Sequence, residues 1–113
     1  ITDAGRGELL RWLSEDDPGL NSRFPLLMKV FFMGEQSREE NIKYFEGLKS
    51  YCSLFMESLA SVPQQIEAYS AFIDDREKAL YWDMTVEYGR RSMQMCMEWA
   101  QSCIEQLERI GDQ

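Results

Sequence analysis

Residues 76–110, REKALYWDMTVEYGRRSMQMCMEWAQSCIEQLERI, decide the fold. Within them Val86, Gly89, Met93, Cys96, Ala100, Cys103, Leu107 and Ile110 recur in alternating steps of three and four. That spacing returns side chains to one face of a helix. No proline interrupts the stretch, and Gly111 follows where helices commonly stop. The pattern predicts one helix from about Arg76 to Ile110, with an Asp of Asp74-Asp75 as N-cap. Gly89 and Ala100 are small enough to let another helix approach closely.

Working outward, a second seam precedes it. Phe45, Leu48, Cys52, Phe55, Leu59, Val62, Ile66, Tyr69 and Ile73 keep the same alternation for about four heptads, the pattern of helices packed at a shallow angle. Ser37-Arg38-Glu39-Glu40 reads as the capping box that starts this segment. Pro63 falls inside the seam, where a proline removes a hydrogen bond and clashes with the preceding turn, costing ~3 kcal/mol. The unbroken phase allows either a kink or a tight re-start there.

Nearer the start, a helix is expected from about Asp3 to Ser14, capped by Thr2, and stopped by the breakers Glu15-Asp16-Asp17-Pro18-Gly19. A short apolar helix is expected from about Phe24 to Met33, with Gly34 as its C′ residue. No strand pattern and no internal repeat stand out. The expected fold is all-α: short N-terminal helices, then a long helical hairpin or coiled-coil-like pair, dimerising through the C-terminal helices.

Lengths support the dimer. A compact domain of this size has a radius of gyration of ~13 Å. The last helix, at ~1.5 Å per residue, runs about 50 Å and outreaches such a body. The expected interface is its seam: Val86, Gly89, Met93, Cys96, Ala100, Cys103 and Leu107. Trp82, Tyr88, Met95 and Trp99 lie off that seam, and adaptable methionines beside aromatic rings suit a pocket for a small apolar effector. The competing reading is ordinary core and dimer surface. Arg90-Arg91 could meet an acidic ligand, but solvated pairing with Glu87 or Glu98 is the simpler use.

Composition restricts function. The 113 residues carry 12 Lys+Arg against 20 Asp+Glu, a formal net charge of −8, so this chain alone should repel nucleic acid. Hydrophobic residues at 44% and charged residues at 28% are ordinary for a globular domain. No apolar run reaches membrane-spanning length, and no signal-peptide pattern is present. The chain has no histidine, which removes Ser-His and Cys-His nucleophile pairs and histidine-based zinc or di-iron sites. Neither a phosphate-binding loop nor a dinucleotide-binding glycine pattern occurs. No enzymatic role, metal or cofactor is expected. Cys52, Cys96 and Cys103 fit reduced, buried thiols of a cytoplasmic protein. The pairs Asp16-Asp17 and Asp74-Asp75 sit at helix boundaries and read as caps, not catalytic carboxylates.

Ile1-Thr2-Asp3-Ala4-Gly5-Arg6-Gly7-Glu8-Leu9-Leu10-Arg11-Trp12-Leu13 reads as a strand end passing into a new helix. The stretch resembles the junction between DNA-binding wing and linker helix in PadR-like transcriptional regulators. Arg23-Phe24-Pro25-Leu26-Leu27-Met28-Lys29-Val30-Phe31-Phe32-Met33-Gly34 is similar to a block of the long-tailed branch of that family. Met84-Thr85-Val86-Glu87-Tyr88-Gly89 and Met97-Glu98-Trp99 are like its final helix. The tail of this branch is also known from virulence activators, the alpha C-terminal type.

The resemblance implies residues 1–14 as the end of a wing and the linker helix, and 15–113 as a helical dimerisation and effector domain. Thr2, Gly5, Leu9 and Trp12 would form the hinge to an N-terminal winged helix lying upstream. It also implies a homodimer, operator DNA bound only through the winged helix, and a small apolar or phenolic effector. The middle stretch, Ser58 to Ala79, departs from the matched blocks. A free-standing helical adaptor or scaffold is the alternative from another class. A ligand-binding or redox bundle built on the Met, Trp and Cys cluster is a third.

Overall fold

A computed structural model of the chain describes residues 2–16 and 24–112. The strand end expected at Ile1 and the breakers Asp17, Pro18 and Gly19 lie outside the described residues. Every regular element among the described residues is helical, as the two periodic seams require. The chain divides into two compact units, residues 1–32 and 33–113.

The first unit holds α1, Asp3–Leu13, and α2, Pro25–Phe31. The Thr2 hydroxyl accepts from the Gly5 N–H at 3.0 Å, satisfying one orphan donor of α1. Arg11 pairs with Glu8 one turn back and with Glu15 at 2.9 Å. These side chains are solvated, so the pairs add little. Pro25 opens α2 at a position where its missing N–H costs nothing.

The end of α2 corrects one expectation. The helix stops at Phe31, and Gly34 lies in a 3-10 turn, Met33–Glu35, instead of serving as a left-handed C′ residue. The cause is a clamp from the following helix. Buried Asn41 donates its Nδ2 to the Met33 carbonyl at 2.9 Å and accepts from Gln36 Nε2 at 2.7 Å. A buried amide satisfied in this way fixes the turn before Gly34 can cap anything.

The second unit is a long hairpin whose first arm is broken. That arm comprises α3, Arg38–Leu59, and α4, Val62–Ile73; the return is α5, Arg76–Gly111. Ser37 Oγ accepts from the Glu40 N–H at 3.2 Å at the start of α3. Pro63 re-starts the helix: the break falls at Ala60-Ser61, and Pro63 stands in the first turn of α4. Asp74 takes the left-handed conformation (φ 53°) that ends α4. Asp75 then caps α5, its Oδ1 accepting from the Lys78 N–H at 3.1 Å.

α5 runs antiparallel past α4 and then α3. The Tyr69 and Trp82 rings meet at 5.2 Å. A methyl group at Gly89 would stand 3.8 Å from Leu59 Cδ1, ordinary contact. Further along, Lys49 Nζ donates to Gln101 Oε1 at 2.5 Å, and Phe45 meets Trp99 edge-on at 5.6 Å. The buried apolar core among the described residues is small: Met33, Phe45, Cys52, Ala79, Ala100 and Ile104.

So thin a core makes each large member costly to truncate. Phe45→Ala should lose ~3–5 kcal/mol of unfolding free energy. Ser53→Ala, on the exposed side of α3, should change it by under about 0.5 kcal/mol. Urea unfolding followed by circular dichroism measures both, and equal effects would contradict the packing described.

Candidate functional site

The small residues of the α5 seam face the chain's own α3. Ala100 is 0% exposed, and Gly89 lies against Leu59. Val86, Met93, Cys96, Cys103 and Leu107 are half-buried along the same strip. The close approach that Gly89 and Ala100 permit is therefore used within the subunit.

A second stripe of α5 has no such cover. Tyr81, Tyr88 and Met95, spaced by seven, share a face turned well away from the seam, Met84 lies between that face and the first arm, and all are exposed. Tyr51 and Leu54 of α3 and Tyr69 and Phe72 of α4 are exposed as well, Phe72 to 85%. A hairpin one helix thick on each side buries only one stripe per helix. Its other apolar stripes remain in water.

The four residues expected to line a pocket are not brought together. Trp82 packs on Tyr69, and Trp99 on Phe45, as parts of the helix contact. Tyr88 and Met95 point outward instead, 69% and 61% exposed. A cleft lies elsewhere, where the first arm breaks. Met56, Leu59 and Pro63 face Leu80, Met84 and Val86 across about 770 Å³, with Asp83, Glu87 and Arg90 supplying its charged margin. The signal for this cleft was Pro63: a helix re-started there leaves a gap at Ala60-Ser61 that α5 spans without filling.

Electrostatics at that margin are local. Arg90 Nη2 lies 2.5 Å from Glu87 Oε1, and Arg91 Nε lies 2.6 Å from the same oxygen. Hydrogen bonds from Arg90 and then Arg91 hold the Glu87 carboxyl at about 2. The paired arginines sit where spacing on one helix face puts them.

Thr2, Gly5, Leu9 and Trp12, expected as a hinge, all belong to the first unit. Thr2 and Gly5 form the α1 cap, whereas Leu9 and Trp12 are exposed with Leu10 and Leu13. Neither Cys52 nor Cys103 is an activated thiol. Burial, with the neighbouring Cys96 thiol adding to it, pushes Cys52 up to about 11, and burial raises Cys103 as well. Both are protonated at neutral pH. Asp74 ends α4 and Asp75 caps the start of α5. Among the described residues no helix is long and apolar enough to cross a membrane.

The Glu87 cluster carries a pH prediction. A carboxyl depressed in the folded state contributes stability above its unfolded pKa, near 4.3, and loses it as pH falls through the folded value. Carbon NMR titration should place the Glu87 midpoint near 2, and Arg90→Ala should move it upward. The stability effect stays small because the groups are solvated. An unchanged midpoint in the variant would contradict the pairing.

Comparison with known proteins bears on this geometry. The sequence profile described as virulence activator alpha C-term matches residues 22–108, more than half of the chain. No curated protein and no solved structure matches the chain. The match spans α2, the broken first arm and nearly all of α5, including the cleft and the outer stripe. The description of the family points to a regulatory domain. A helical hairpin with a charged-rimmed cleft and uncovered apolar stripes thus belongs to the virulence activator alpha C-terminal family.

Proposed function

We propose that this chain is the dimer-forming, effector-responsive C-terminal domain of a winged-helix transcription regulator of the PadR-like type, working in the cytoplasm. The observation that carries the reading is the outer stripe of α5, Tyr81, Tyr88 and Met95, left in water by its own subunit. Contiguous exposed apolar surface on a soluble domain marks an interaction site. A second copy supplies the same stripe, and self-complementary contact about a twofold axis closes the pair.

Dimerisation then sets the distance between two winged helices, and operator half-site spacing mirrors that distance. The net charge of −8 on this chain leaves DNA contact to the winged helix. The cleft beside Pro63 is the place for a small apolar effector, since a ligand between the broken arm and α5 would favour one packing of the hairpin over another.

A free-standing adaptor is the second reading, supported by the exposed aromatic residues Tyr51, Tyr69 and Phe72 on the opposite arm. It requires a different protein as partner and no self-association.

Sedimentation equilibrium separates the two. The chain should be a dimer at tens of micromolar, and Tyr88→Glu with Met95→Glu should weaken association by about tenfold or more while helicity is retained, because buried unpaired carboxylates are costly. A monomer at that concentration would overturn the dimer and leave the adaptor reading standing.

A further inference from the structure

The antiparallel register of the hairpin has a consequence for its cysteines. Leu59 of α3 meets Gly89 of α5. One heptad back along α3 stands Cys52, and one heptad forward along α5 stands Cys96. The same step sets Cys52 and Cys96 opposite each other across the helix contact. Cys52 is 1% exposed, whereas Cys96 is half-buried.

We propose that Cys52 and Cys96 are an oxidisable pair whose disulfide ties α3 to α5 when the protein meets a hydroperoxide. A disulfide needs Cα atoms within about 4.4–6.8 Å. Gly89 and Ala100, flanking Cys96 on α5, allow that approach. Cys103 does not compete for Cys96, because seven residues on one helix separate them by about 10 Å.

The reaction balances with a hydroperoxide, ROOH, as oxidant. The Cys96 thiolate attacks the outer peroxide oxygen, the O–O bond breaks, and the alkoxide takes a proton to leave as ROH. Cys96 is then a sulfenic acid. Cys52 loses its proton and its sulfur attacks Cys96 Sγ; the S–O bond breaks and hydroxide leaves as water. Two thiols are oxidised, one peroxide is reduced, and one S–S bond forms. Burial makes Cys52 a slow nucleophile in the free sense, but its fixed position beside Cys96 replaces a bimolecular encounter with an intramolecular one. The product locks the hairpin register against any repacking of α5 on α3. Thiol reagents supplied as reductants reverse it.

Hydrogen peroxide added to the folded chain, followed by non-reducing peptide mapping by mass spectrometry, tests the pair. A Cys52–Cys96 linked peptide with the loss of two hydrogens is expected, together with a raised melting temperature that dithiothreitol reverses. Cys103→Ala should keep the link, and Cys96→Ala should abolish it. Cys96 is half-buried, so its truncation leaves the fold intact by circular dichroism even where the Cys52→Ala variant does not. Oxygen addition without a link, a link through Cys103, links only between chains, or no reaction would each overturn the proposal.

Discussion

The close packing of α5 against α3 and α4 is the constraint on which the rest depends. One stripe of α5, which includes Gly89 and Ala100, is spent on the subunit's own first arm. The helix is 36 residues long, about 54 Å, and lies against two shorter helices, α3 and α4. A structure two helices thick buries few side chains, and folding stability is a small difference between burial and chain entropy. Further burial must come from outside the hairpin. The exposed stripe from Tyr81 to Met95 and the exposed rings of Tyr51 and Phe72 are the surfaces that could supply it.

The same packing explains which parts of the molecule were readable beforehand. Alternating steps of three and four marked both arms correctly, because a heptad phase survives whatever the helix packs against. Ser37 and the pair Asp74-Asp75 were identifiable as cap positions because their chemistry is local, and the structure gives the cap of α5 to Asp75. Pro63 was ambiguous because phase alone does not distinguish a kink from a re-start; the outcome turned on Ala60-Ser61, residues with little preference of their own. Gly34 misled because the deciding bond, from Asn41 to the Met33 carbonyl, lies across a turn and leaves no periodic trace.

The pocket was the least readable feature. Trp82 and Trp99 have the size expected of ligand-contacting residues, yet each is used against an aromatic ring of the other arm. The cleft instead lies beside the break at Ala60-Ser61, bordered by modest side chains such as Leu59, Leu80 and Val86. Composition contains no sign of a gap. The off-seam face of α5 was readable as apolar, but which of its two faces the chain would cover depended on the register of the return arm. That register is set by distant pairs, Tyr69 with Trp82 and Lys49 with Gln101.

Covering of the outer α5 stripe by a second copy is the claim at the centre of this account. Carbene footprinting of the folded chain across a dilution series reads it directly, side chain by side chain. Labelling of Tyr81, Tyr88 and Met95 should fall as protein concentration rises, while labelling of Arg11 and Glu8 on α1 stays constant. Equal labelling of the stripe at every concentration would contradict it.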